Sequence, residues 1–168
     1  MICESGMGEA DRAYDRALTF LEKRDRTERE VFVRLTGAGF SEDAVTAALE
    51  RLRDAGLVND ADYAVRYLEA LVAKGRGRLR IKAEMRGKGL PEELVRETLE
   101  DGLSAEDERA MAKEAARRFW AELPEGLNAR KAEGKVSGRL VSRGFTYEDI
   151  GIALRGLRIE NENEENEV

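Results

Sequence analysis

The chain has 168 residues, 38% charged and 42% hydrophobic, with two prolines, one cysteine and no histidine. Without histidine there is no Ser-His-Asp or Cys-His triad, no imidazole metal ligand and no imidazole proton shuttle near neutral pH. The single Cys3 excludes an intrachain disulfide framework and a multi-cysteine zinc site, which points to a reducing, cytoplasmic setting.

No run reaches the roughly 18 apolar residues of a membrane span, and the N-terminal stretch lacks an apolar signal core, so the expectation is a soluble protein with no membrane partner. The net charge of −6 argues against a polyanionic partner, but it is unevenly spread. Residues 160–168, ENENEENEV, hold five acids and no bases, leaving 30 acids against 29 bases in the body. Residues 1–10 form an N-terminal extension, and residues 160–168 are expected to be a disordered acidic tail.

Local propensity favours helix almost throughout. Tyr14, Ala17, Leu18 and Leu21 share a face of a helix over about 11–24, and Val45, Ala48, Leu49 and Leu52 share one over about 41–55. Thr27 with Glu30, and Ser104 with Asp107, have capping-box spacing, while Ser41, Pro91 and Thr146 stand where N-caps are expected. Gly39, Gly89 and Gly144 each follow an apolar helix, where a left-handed residue ends it, and Gly56 does the same.

Aligning the chain on the glycines at 39, 89 and 144 exposes an internal repeat. Phe40, Leu90 and Phe145 fall into register, as do Leu35, Met85 and Leu140, and Val31, Ile81 and Val136. After the turn come Val45, Val95 and Ile150, then Leu49, Leu99 and Leu154. These columns predict an all-α protein of three tandem three-helix repeats, resembling helix-turn-helix units, over 11–59, 60–103 and 104–159. Pro124 and Gly126 mark an insertion in the third. A single unit of this size has a marginal core, so neighbours are expected to pack on one another.

Two basic clusters are candidates for partner binding. Residues 74–88, KGRGRLRIKAEMRGK, carry Lys74, Arg76, Arg78, Arg80, Lys82, Arg86 and Lys88 against the single acid Glu84. Arg78, Lys82 and Arg86 share a helix face behind a Gly-Arg-Gly hinge, suited to phosphate or carboxylate contacts. The second cluster, Arg130, Lys131, Lys135, Arg139 and Arg143, lies on the second helix of the third repeat. Either could be a solvated surface instead.

The third helices oppose a major-groove reader. PEELVRETLED carries five acids and one base, and SEDAVTAALERLRDA four acids and two bases, so phosphate walls would repel them. Nucleic acid would have to meet the second helices. Trp120 could stack on bases, but the stripe of Ala112, Ala115, Ala116 and Phe119 assigns it to packing, as the helical spacing of Tyr63 and Tyr67 does for them. GRGR lacks phosphate-loop spacing, and no carboxylate pair sits in an apolar setting. No catalytic, cofactor or metal site is evident, and no enzymatic activity is expected.

The segments NDADYA at 59–64, KGRGRLRI at 74–81 and MRGKGL at 85–90, with Leu18, Leu21, Leu35, Gly39 and Phe40 before them and 140–150 after, resemble the RecX regulatory proteins of bacteria. The resemblance covers about residues 11–157. It implies three tandem three-helix units in an elongated, curved monomer that binds the RecA recombinase filament on single-stranded DNA. It further implies inhibition of recombinase, ATPase and coprotease activities in recombination, DNA repair and the SOS response, with single-stranded DNA as a second partner. Asp60, Tyr63 and Ala64 then mainly fix the junction between units, Gly75 to Ile81 form the start of the basic helix, and Gly75 and Gly89 count among the structural motif residues. The alternative reading is a sequence-independent nucleic-acid-binding helical module.

Overall fold

The computed structural model describes residues 8–166, with side chains as far as Glu160. Cys3 and the other residues before Gly8, and Glu167 and Val168, lie outside the described residues. Among the described residues there are nine helices and no strand: α1 (Glu9–Leu21), α2 (Glu28–Thr36), α3 (Glu42–Asp54), α4 (Asp60–Ala73), α5 (Arg78–Gly87), α6 (Glu92–Gly102), α7 (Ala105–Ala121), α8 (Ala129–Arg143) and α9 (Tyr147–Asn166).

The helix starts are chemically defined. Thr27 Oγ1 accepts the Glu30 N–H at 3.1 Å while Glu30 Oε2 accepts the Thr27 N–H at 3.2 Å, completing the expected capping box. Ser41, Ser104 and Thr146 accept from the N–H groups of Ala44, Asp107 and Asp149. Asn128 caps α8 by accepting from Lys131 N–H at 2.9 Å, a start that the 123–129 insertion hid in the sequence.

The repeat register corresponds to one recurring turn. The N–H groups of Phe40, Leu90 and Phe145 donate to the carbonyls of Leu35, Met85 and Leu140 at 3.3, 3.4 and 3.3 Å. Each bond closes across a glycine at φ +92°, +76° or +87°, which a residue with a Cβ adopts only at a cost. The matching columns therefore record the same turn from second helix to third.

The chain divides into two compact units. One runs to Arg66 and includes Met85–Val95; the other is Tyr67–Glu84 with the chain from Arg96 onward. In the first, α1, α2 and α3 pack around Ala13, Ala17, Val31, Leu35, Val45, Ala48 and Leu52. In the second, α7, α8 and α9 pack around Ala112, Ala116, Phe119, Val136, Leu140, Phe145 and Ile150, with Trp120 half-buried against this core. The division falls inside α4, α5 and α6, so the helices of the middle repeat serve both units.

Two sequence expectations change at the ends. The N-terminal helix starts at Glu9, behind a Gly8 N-cap, and stops at Leu21. The acidic segment expected to be disordered continues α9 as far as Asn166. It contains no Pro or Gly to stop the helix, and Glu160 accepts from Arg117 Nε at 3.1 Å.

Candidate functional site

The Gly-Arg-Gly segment before α5 is a fixed joint rather than a flexible hinge. Within the second compact unit, Gly77 N–H donates to the Arg143 carbonyl at 2.9 Å and Leu79 N–H to the Gly144 carbonyl at 3.0 Å. Donors at the start of α5 thus satisfy acceptors at the end of α8, pairing the positive end of one helix dipole with the negative end of another. Arg143 Nη1 also donates to the Lys74 carbonyl at 3.0 Å. A Cβ on Gly77 would lie 2.5 Å from the Gly144 and Phe145 backbone, so only glycine allows this approach.

Glu108 completes the joint. Its carboxylate is 4% exposed and accepts from the Arg78 backbone N–H and Nε, both at 2.9 Å. The same guanidinium reaches the carbonyls of Leu99 and Leu103. Arg78, placed by helical spacing on a partner-facing surface, spends its donors inside the fold. Lys82 is half-buried one turn on.

The first compact unit contains the related joint one repeat earlier. Asp60 Oδ1 accepts the Glu28 N–H at 2.9 Å, as Glu108 serves Arg78. Thr27 Oγ1 donates to the Lys88 carbonyl at 2.7 Å, and Gly89 lies against Arg29, where a Cβ would approach to 2.3 Å. Desolvation raises the Asp60 pKa above its ordinary value despite this hydrogen bond. Tyr63 is half-buried with its phenol pushed up by desolvation, Ala64 is buried, and Gly75 has φ +67°.

Most of the first basic cluster is balanced by acids. Arg80 Nε donates to Glu84 at 2.8 Å and Arg76 Nε lies 3.7 Å from the same carboxylate, holding its pKa below the usual value. Arg86 forms a two-pronged pair with Glu92, and Lys88 Nζ lies 3.1 Å from Glu30. The second cluster is freer. Arg130, Lys131 and Lys135 are exposed on α8 with no carboxylate partner among the described residues.

Beside that row, the second compact unit has a groove of about 620 Å³ bearing Lys74, Arg118, Arg139 and Arg143, with Met111 and Phe119 at its floor. Arg139 lies 4.1 Å from the Phe119 ring centroid and pairs with Glu122. Lys74 and α8 are remote in sequence, but the Arg143–Lys74 bond brings them together. Arg118, on α7, also belongs to this groove.

The sequence reading missed a third group. Arg16, Lys23, Arg26 and Arg34 surround Phe20 in the first compact unit. They are scattered over 19 positions among acids, and only the i, i+4 spacing of Arg16 and Phe20 hinted at a shared face.

No helix among the described residues is long and apolar enough to cross a membrane, and these residues form no cluster of three or more His, Cys, Asp or Glu able to hold a metal. Joints that lock consecutive three-helix repeats, with arginine-bearing grooves on their surfaces, define an all-helical tandem-repeat protein. Residues 13–52 match the family model for the RecX first three-helix domain, and 59–99 that for the RecX second three-helix domain. A regulatory protein RecX of Chromohalobacter salexigens is 34% identical over 141 residues, covering 83% of this chain and 89% of the relative. One from Clostridium acetobutylicum is 32% identical over 152 residues, covering 89% and 70%. The crystal structure of RecX from Lactobacillus salivarius superposes with a TM-score of 0.77 at 22% identity, covering 90% of this chain and 97% of that one. The chain belongs to the RecX family of regulatory proteins.

Proposed function

We propose that this protein is a cytoplasmic, non-enzymatic modulator that binds RecA filaments on single-stranded DNA and inhibits their ATPase, strand-exchange and coprotease activities. Membership of the RecX family, at 34% identity over most of both chains, carries this reading. The groove with Lys74, Arg118, Arg139 and Arg143, and the adjoining Arg130, Lys131 and Lys135, support it. Together they offer apolar surface, guanidinium forks for carboxylates and unpaired ammonium groups, a mixture suited to a nucleoprotein surface. The near-neutral body leaves protein contacts to carry much of the affinity.

The test is the single-strand-stimulated ATPase of a cognate RecA filament titrated with the full chain. Inhibition saturating at or below stoichiometric amounts is expected. Reversing Arg130, Lys131 and Lys135 to Glu should raise the half-inhibitory concentration about tenfold or more with the melting curve unchanged. A filament whose ATPase and length do not respond to the parent protein rules out the reading. Salt-sensitive binding to bare DNA without any effect on the recombinase would favour the nucleic-acid module instead.

A further inference from the structure

The two joints between repeats follow one pattern, and the first and last repeats each carry half of a third. In both joints, the residue that caps a second helix is buried against the turn ending the next repeat's second helix. Thr27 Oγ1 donates to the Lys88 carbonyl, and Gly77 N–H to the Arg143 carbonyl. An arginine then lies on the turn glycine, Arg29 against Gly89 and Arg80 against Gly144. An acid from the next repeat's first helix, Asp60 or Glu108, accepts the leading N–H of the second helix.

The first repeat has the turn with no helix seated on it. A Cβ built on Gly39 meets nothing within 4 Å, and the Ala38 and Gly39 carbonyls accept no hydrogen bond from the described backbone. Phe40 is partly exposed where Leu90 and Phe145 are 4% and 2% exposed. The acid is present too, because Glu9, like Asp60 and Glu108, stands four residues before a fully buried alanine. Glu9 is exposed, and hydrogen bonds from the Ser41 Oγ and N–H hold its carboxyl below the usual range. The third repeat has the opposite half. Thr27 and Gly77 are buried, but their counterpart Asn128 and the Ala129 that opens α8 are exposed. Asn128 Oδ1 caps Lys131 as Thr27 Oγ1 caps Glu30, which leaves the Asn128 amide to donate outward as the threonine hydroxyl does. Arg130 and Lys131 follow at the spacing of Arg29 and Arg80, without a carboxylate partner among the described residues.

The two halves are complementary. Donors and cations begin α8, while free carbonyls, Glu9 and the exposed Glu42 and Asp43 flank the Gly39 turn. In tandem-repeat proteins such ends are covered by dedicated capping repeats, and here both are exposed. We propose that a second copy of this chain supplies the missing half, the α8 start of one molecule seating on the Gly39 turn of another. The contact is head-to-tail, so each docked pair keeps one unused half at either end and association continues past the dimer. It does not rest on the recombinase reading, because it needs no partner but the chain itself.

The test is equilibrium sedimentation of the full chain in a concentration series up to about 1 mM, a range suited to a contact whose few bonds must offset the entropy of association. The weight-average mass should climb from that of one 18.8 kDa chain. Ala38→Lys blocks the turn and Ala129→Asp blocks the helix start. Both residues are exposed and each new charge suits the helix end it adjoins, so the melting curves should not fall. Each variant alone should stay at the mass of one chain. Mixed in equal amounts, the two should form a heterodimer of twice that mass and nothing larger, because one intact pair of halves remains. A parent chain that stays at the monomer mass throughout overturns the inference. So does association that either variant alone retains, or a mixture of the two that stays monomeric.

Discussion

Gly77 shows how one missing carbon supports a joint. Alanine there would place Cβ 2.5 Å from the Gly144 and Phe145 backbone, which cannot move aside as a flexible side chain would. Gly77→Ala should therefore cost about 1–3 kcal/mol in urea unfolding. Gly134 and Gly138, exposed on α8 with nothing near a built Cβ, should behave oppositely: alanine at either stabilises by about 0.8–1 kcal/mol. Glu108 is the electrostatic counterpart. Glu108→Ala leaves the Arg78 N–H and guanidinium without their buried acceptor and should lower stability by about 3 kcal/mol, also read by urea unfolding. Nothing in the spacing of the sequence identifies Glu108, since its partner lies 30 residues away and the acids beside it are exposed.

At the scale of helices, ion pairs set the pH response. Arg80, Arg158 and Arg117 hold the carboxyls of Glu84, Glu133 and Glu160 below their ordinary 4.5. Each contributes stability that is complete above 4.5 and lost as pH falls through its lower folded value. Asp60 acts in the opposite sense: its raised pKa gives a contribution present below 3.8 and lost as pH rises through the folded value. Thermal melts from pH 3 to 7 should show a shallower acid decline for Glu133→Gln. Asp60→Asn, which retains an oxygen to accept the Glu28 N–H, should remove the opposing slope. The caps and glycine turns were readable because they depend on residues within about five positions. The pairing of Arg117 with Glu160 was not, because the two lie 43 positions apart.

For the whole molecule, the net charge of −6 predicts little, because binding responds to local fields. The first basic cluster dominates the sequence, yet acids and the joints take up much of it. The more available cations are Arg130, Lys131 and Lys135 on α8 and the dispersed group around Phe20. The recombinase titration probes the first group and the sedimentation series the exposed repeat ends, so each reading can fail without the other.

Propensity, helical period and capping are short-range and recur in the chain, so the all-α class, the repeated turn and the family are legible in the residues alone. Which charges are taken up inside the fold follows from packing instead. Whether an arginine faces solvent, a carbonyl or a carboxylate depends on groups that long-range packing brings together, and the pattern along one helix does not contain them.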